Sequence, residues 1–278
     1  MLDLKPGLYV TATPIGNLGD ITYRAVDILK NADLILCEDT RQTAKLCAAY
    51  GVKTPRRAYH DHNGAQVRPE ILDRLSGGER ICLVSDAGTP LIADPGYKLV
   101  SEARDRGVSV FPVPGPSALT AALSAAGAPT DRFVFAGFPP QKSAGRKTYF
   151  KTFKTAPGSL VFYESGPRLA ASLADMAAVY GGRKATVARE LTKLHEEFVT
   201  NNLEDLAGDY RENPPKGEIV IIVFPLAETE ADADTLDAFL QERLAAMGVK
   251  EAATEAAAAL GVARRDAYSR ALQLKERM

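Results

Sequence analysis

Along the first hundred residues, short blocks of almost unbroken apolar positions alternate with longer stretches whose apolar residues recur every three or four places. Leu8 to Thr11, Leu34 to Cys37, Ile81 to Ser85 and Val108 to Phe111 are the blocks, and they predict strands. Ile21 to Lys30, Arg41 to Tyr50, Glu70 to Ser76 and Lys98 to Arg106 carry the helical spacing between them. Strands joined by helical crossovers make a parallel sheet, and runs such as LILC and ICLV, apolar on both strand faces, require helices on both sides of it.

The pattern changes after Val113. An Ala-rich helix flanked by prolines (VPGPSALTAALSAAGAPTDRF) reads as a crossover between two lobes, and strands then follow with fewer helices between them: Phe133 to Ala136, Leu160 to Tyr163, Ala185 to Arg189, Glu197 to Val199 and Ile219 to Phe224. This favours a mixed second sheet. After Pro225 comes an acidic stretch (Glu228, Glu230, Asp232, Asp234, Asp237), then two helices around a turn at Gly261-Val262. The expected organisation is an N-terminal α/β lobe over 1–116, a C-terminal α/β lobe over 117–226, and over 227–278 an acidic linker with a helix-turn-helix-like appendage. That appendage serves either nucleic-acid binding, through Arg264 and Arg265, or packing.

Composition narrows the classes. The 278 residues are 46% hydrophobic and 25% charged, an ordinary globular balance. No run of eighteen apolar residues and no basic-then-apolar start is present, so a membrane span and a signal peptide are not expected and a cytoplasmic setting is. Cys37, Cys47 and Cys82 have neither disulfide nor zinc-ribbon spacing. The net charge of -1 is uninformative, but from Pro139 to Pro157 there is no acid, while Lys142, Arg146, Lys147, Lys151 and Lys154 interleave with Tyr149, Phe150 and Phe153. Such a segment can hold RNA phosphates with Phe150 or Phe153 stacked on a base, or it is a surface helix with its rings in the core.

Three polar loops leave the carboxyl ends of first-lobe strands, where open α/β sheets bind ligands. TATPIGNLGDIT is neither a dinucleotide fingerprint nor a Walker loop, and its glycines allow close approach of a ligand or simply a tight turn. CEDTRQT offers Glu38, Asp39 and Arg41 to a cleft, or a helix cap with an ion pair. SDAGTPLIADPG carries two Asp, two Gly and two Pro within twelve residues, which is heavy punctuation for a plain connector, and Asp86 can accept hydrogen bonds from a ribose or an amino group. In the second lobe, LVFYESGPR and ARELTKLHEE crowd charged residues onto strand ends, either at a site or in a salt-bridged turn. His60 and His62 of YHDHN alternate as on one strand face, but no third metal ligand is spaced to join them, and no metal is expected.

VTATPIGNLGDIT, CEDTRQT, YHDHN, SDAGTPLIADPG, PVPGPSA, FAGFPP, FYESGPR and RELTKLHEE occur in that order. Together they resemble the tetrapyrrole methylase superfamily, and within it the branch that modifies small-subunit ribosomal RNA, over about Leu8 to Phe224. The resemblance implies the class III methyltransferase fold, two α/β/α lobes plus a small C-terminal helical appendage, enclosing S-adenosylmethionine and usually homodimeric. It implies 2'-O-methylation of a cytidine ribose in 16S ribosomal RNA near the decoding centre, on free RNA or the assembled small subunit. By position it places the cofactor at Pro14, Ser85, Asp86, Ala87, Ile92, Ser117, Ala118, Tyr163 or Glu164, and Ala188. One position departs: Gly64 stands where relatives are expected to carry an acid.

Methyl transfer from a sulfonium depends chiefly on alignment, and a ribose hydroxyl also needs a base or a cation to favour the alkoxide. Glu190, Lys193 and Asp39 are the catalytic candidates, and Arg24, Arg41 and Arg168 join Lys142, Arg146, Lys147, Arg264 and Arg265 as candidate RNA contacts. The alternatives are a methyltransferase acting on a corrin or porphyrin precursor and a non-catalytic nucleic-acid-binding protein; the second leaves the polar loops unexplained.

Overall fold

The computed structural model describes residues 4–226, 233–260, 262 and 264–276. Its first sheet comprises β1 (Gly7–Thr11), β2 (Leu34–Cys37), β3 (Arg56–Ala58), β4 (Arg80–Leu83) and β5 (Val110–Val113) in the order β3-β2-β4-β1-β5, every pair parallel. Alternate residues of β2 show why the run LILC is apolar throughout. Ile35 and Cys37 pack with Ile28 and Leu29 of α1 (Tyr23–Asn31) and Cys47 of α2 (Thr40–Ala49). Leu34 and Leu36 pack on the other face with Ile71 and Leu72 of α3 (Gly64–Ser76) and Leu99 of α4 (Tyr97–Asp105). Both strand faces are therefore dry, and the lobe is a three-layer α/β/α sandwich.

Helix α5 (Ala118–Ala125) leads into the second sheet, built from β6 (Phe133–Gly137), β7 (Ser159–Ser165), β8 (Lys184–Arg189), β9 (Glu197–Asn202) and β10 (Glu218–Val223) in the order β6-β7-β10-β8-β9. Only β6 and β7 are parallel; the other pairs are antiparallel, so the sheet is mixed. One face carries α6 (Ser143–Lys151), α7 (Leu169–Tyr180) and α8 (Leu203–Glu212) over a core that includes Phe150, Phe162 and Ile221. Ala122 and Leu123 of α5 cover the other face, against Val161, Val220 and Ile222.

Three further helices, α9 (Ala233–Leu244), α10 (Val249–Leu260) and α11 (Arg264–Lys275), share a small core of Leu240, Ala252, Ala256, Ala267 and Leu274. Residues 228, 230 and 232 of the acidic stretch, and Gly261 of the predicted turn, lie outside the described residues. No helix among the described residues is long and apolar enough to cross a membrane.

Three local expectations change. The stretch read as an acidic linker enters α9 at Ala233, so three described helices follow the second lobe instead of two. β3 was not predicted, and the histidines of YHDHN occupy the turn after it instead of a strand, with Asn63 closing that turn: its Oδ1 accepts from His60 N at 2.9 Å and its Nδ2 donates to Ala58 O at 2.9 Å. α3 also starts at Gly64, six residues ahead of the predicted apolar periodicity, because its first turns face outward. Gly64 itself lies over the Tyr59 ring, where an added Cβ would make ordinary contact at 3.5 Å.

Candidate active site

The loops after β1 and β4 are joined by a two-residue bridge. Thr13 N–H donates to Gly88 O at 2.9 Å and Gly88 N–H to Thr13 O at 3.0 Å. Gly88 takes φ +83°, a conformation that costs a residue with a side chain about 1–2 kcal/mol. Asp86, two residues earlier, reaches the third loop: its Oδ1 accepts from Asp39 N at 3.0 Å. The three loops singled out in the sequence are thus one hydrogen-bonded unit at the carboxyl ends of β1, β2 and β4.

Across from them stands the loop after β8. Gly16 of the first loop lies so close to it that an added Cβ would fall 2.9 Å from Leu191 O and 2.6 Å from Lys193 Cγ. The glycine of TPIGNLG therefore permits approach of the two lobes to each other. Among the described residues, the four non-glycine positions with positive φ are Leu91, Ala93, Glu190 and Thr192, two in the loop after β4 and two in the loop after β8. Strained backbone of this kind concentrates at functional sites.

Between these loops is a cleft of ≈ 370 Å³, within the size range of small-molecule sites. The first lobe contributes Glu38, Asp86, Ala87, Gly88, Ile92 and Asp94, the crossover Ser117 and Ala118, and the second lobe Phe138, Tyr163, Glu190, Lys193 and Glu218. Tyr163 is fixed by its neighbours: its hydroxyl accepts from Leu119 N at 3.1 Å, and its ring meets Phe135 and Phe138 edge-on at 4.8 and 5.5 Å.

The electrostatics of the cleft are one-sided. Among the described residues, five carboxylates line it (Glu38, Asp86, Asp94, Glu190, Glu218) against one cation, Lys193, which is bonded to Glu190 at 3.0 Å. Burial, reinforced by Glu38, Glu218 and Asp86, pushes the Asp94 carboxyl up to about 6 despite a hydrogen bond from Ser85. Glu38 is raised for the same reasons, burial first and then Asp86 and Asp61. Such a site attracts a ligand with a positive centre and repels phosphate, which must be held at the rim.

Of the residues expected at a cofactor, Asp86, Ala87, Ile92, Ser117, Ala118 and Tyr163 line this cleft. Ser85 is buried behind it, its hydroxyl donating to Ala87 O at 3.2 Å, and Pro14 adjoins the bridge at Thr13 without lining the cleft. Ala188 is fully buried within β8. Glu164 points away from the cleft into the lobe, paired with Arg168 at 3.3 Å and hydrogen-bonded by Ser165 N and the Ser172 hydroxyl. Of the catalytic candidates, Glu190 and Lys193 face the cleft. Asp39 does not: it caps α2 by accepting from Arg41 N at 2.8 Å and pairs with the Arg41 guanidinium, which holds its carboxyl down at about 2.

The expected RNA contacts divide similarly. Arg146 is turned inward, its Nε donating to Asp175 Oδ2 at 2.7 Å, and both side chains are buried, so it holds α6 to α7. Phe150 is fully buried and has no face free for a base, while Tyr149 and Phe153 are partly exposed and pack against the same core. Arg168 donates to Pro139 O at 2.6 Å, and Lys147 lies 3.4 Å from Asp175. Arg24 donates to Pro112 O at 2.9 Å from an exposed position. Arg41, Lys142, Arg264 and Arg265 are solvent-facing. Sequence reasoning missed Phe138 and Glu218, and treated Asp94 only as loop punctuation.

Residues 7–207 match the family described as Tetrapyrrole (Corrin/Porphyrin) Methylases, and residues 229–275 match the RsmI C-terminal HTH domain. The chain is 48% identical over 276 residues to ribosomal RNA small subunit methyltransferase I of Mesorhizobium japonicum, covering 98% of this chain and 94% of that one. The proteins of the same description from Pseudomonas aeruginosa and Escherichia coli O157:H7 are 45% and 46% identical, each over 96% of this chain and over 96% and 94% of their own lengths. Two solved structures share the fold at low identity. Diphthine synthase aligns with TM-score 0.60 at 14% identity, covering 78% of this chain and 89% of its own. A cobalt precorrin-4 methyltransferase aligns with TM-score 0.58 at 19% identity, covering 78% and 94%.

Proposed function

This chain belongs to the ribosomal RNA small subunit methyltransferase I family, within the tetrapyrrole methylase fold, and from that premise we propose that it methylates the 2'-hydroxyl of a cytidine in 16S ribosomal RNA near the decoding centre, with S-adenosylmethionine as donor. The observation that carries the reading is the cleft: five carboxylates and a single lysine between two lobes suit a sulfonium with an ammonium group and do not suit a phosphate. When bound, the donor supplies an already activated methyl group. A solved relative of the same fold, uroporphyrin-III C-methyltransferase of Thermus thermophilus, is described as complexed with S-adenosyl homocysteine; it aligns with TM-score 0.55 at 19% identity and covers 78% of this chain and 97% of its own.

In this reading Asp86 and the segment Ala87-Gly88 hold the polar ends of the donor from the first lobe. Ser117, Ala118 and Tyr163 hold it from the crossover and the second sheet, with Ile92 against its apolar part. Ser85, Pro14, Glu164 and Ala188 shape the walls from behind. Lys193, oriented by Glu190, supports negative charge developing on the acceptor oxygen. Arg24, Arg41, Lys142, Arg264 and Arg265, exposed and outside the acidic cleft, take the RNA phosphates. A cytoplasmic, homodimeric enzyme acting on ribosomal RNA, free or in the assembled small subunit, goes with this reading.

The test is to incubate the protein and methyl-labelled S-adenosylmethionine with naked 16S RNA, small subunits and tetrapyrroles, then map the label. Label on a cytidine ribose is the expected result. Label on a tetrapyrrole alone, or on a nucleobase, overturns the proposal.

A further inference from the structure

Beside the acidic cleft lies a second one, of ≈ 410 Å³, between the turn that carries His60 and His62 and the start of α4. Glu38, Ala93 and Asp94 line both. They form a shared wall, and Asp94 presents a carboxyl at the boundary. The two cavities differ in character. The second contains Arg68, Lys98, His60 and His62 along with its acids, and the ring of Tyr97, which is 71% exposed. His60 Nδ1 is buried there without a hydrogen-bond partner. Gly96 caps α4 with no side chain, so no side-chain acceptor competes for the amides that open the helix next to Lys98.

An exposed aromatic ring, a neighbouring cation and uncapped helical amides are what an unstacked nucleotide requires: a surface for the base and donors for the phosphate. The wall shared with the first cleft, with Asp94 in it, belongs to the same cavity as Tyr97 and Lys98. We propose that this second cleft is the acceptor subsite, taking one unstacked pyrimidine nucleotide with its base on Tyr97 and its phosphate at Lys98, and that Asp94 accepts the proton of the reacting hydroxyl. The inference rests on the methyl-transfer reading above. In that step the hydroxyl oxygen forms the new bond to the methyl carbon, the sulfur keeps the electron pair of the broken C–S bond and becomes a neutral thioether, and the hydroxyl proton passes to an Asp94 carboxylate oxygen. The surroundings fit the task, because a carboxyl pushed up by burial is a stronger base than an exposed one and is still ionised at neutral pH.

The test uses the full chain. S-adenosylmethionine affinity is measured by calorimetry, cytidine 5'-monophosphate binding by broadening of the nucleotide's NMR lines, and kcat and KM with small subunits as acceptor. Tyr97→Ala, at an exposed position that leaves folding intact, is expected to remove the nucleotide broadening and raise KM for the subunit about tenfold. Its Kd for S-adenosylmethionine stays within about twofold of wild type. Asp94→Asn is expected to keep nucleotide binding and lower kcat on the order of 10²-fold. An unchanged KM in both Tyr97→Ala and Lys98→Ala, or a wild-type kcat in Asp94→Asn, overturns the subsite. Failure of the function reading looks different: the wild-type protein then binds no S-adenosylmethionine or places the label on a tetrapyrrole.

Discussion

Thr13 and Gly88 exchange both of their backbone hydrogen bonds, at 2.9 and 3.0 Å, and thereby bind the loop after β1 to the loop after β4. The bridge depends on the φ of +83° at Gly88, where an added Cβ would also stand 3.3 Å from Ile15 Cγ2. Gly88→Val is therefore expected to cost about 1–2 kcal/mol in urea unfolding. It should also weaken S-adenosylmethionine binding at least tenfold by calorimetry, since both bridged loops line the cleft. Equal affinity in the variant would show that the bridge does not shape the site.

Asp94 makes the ligand-free protein pH-sensitive. Its folded value of about 6 lies above the ordinary 3.8, so well below pH 3.8 the carboxyl is neutral in both states and contributes nothing. As pH rises from 3.8 to about 6 the unfolded chain ionises this acid while the half-buried folded one resists, and stability falls across that window. Asp94→Asn should thus raise the melting temperature at pH 8 and leave it unchanged near pH 3. Affinity for the cationic donor should run the other way in the wild type, strengthening as pH rises through 6.

Arg146 and Asp175 form a buried pair at 2.7 Å. Removing one partner strands the other, so Arg146→Ala is expected to cost about 3–5 kcal/mol in chemical denaturation. Arg106→Ala, which breaks an exposed pair with Asp73, should cost under about 1 kcal/mol. If Arg146 served RNA, its variant would keep its stability and lose substrate affinity.

Arg264 and Arg265 are exposed at the start of α11, with the Arg265 side chain 94% accessible. Reversing both to Glu is expected to leave the melting temperature and donor affinity unchanged while raising KM for the small subunit several-fold. The salt dependence of subunit binding should become shallower by about one to two phosphate contacts. Unchanged KM and salt slope would assign these helices to packing alone.

The legible parts of this fold are those where one physical pressure acts on consecutive residues. β2 and β4 are dry on both faces, so LILC and ICLV announce themselves, and α1 shows its apolar stripe because one face packs on the sheet. β3 was invisible because Arg56-Arg57-Ala58 is a short, solvent-facing edge strand defined by its pairing with β2 at Ile35↔Arg56 and not by any pattern of its own. The cleft was legible where it is made of loops dense in Gly, Pro and Asp, as at Asp86. It was hidden at Glu218, the first residue of an otherwise apolar central strand, whose proximity to Asp94 arises only from the docking of two lobes far apart in sequence. Arg146 misled because a basic segment without acids looks solvated, while its partner Asp175 lies 29 residues further along.

The position of β10 bears on how the protein comes to exist in a cell. It is the last strand of the second sheet to be synthesised, yet it sits at the centre, between β7 and β8, and residues 218–220 line the cleft. On the ribosome the first lobe can complete its parallel sheet early, but the second cannot close until its middle is delivered, and residue 16 must then meet residue 191. The nascent chain must therefore stay soluble through a long interval with an open, strand-edged half sheet, a stage at which chaperones recognise exposed edges and apolar surface.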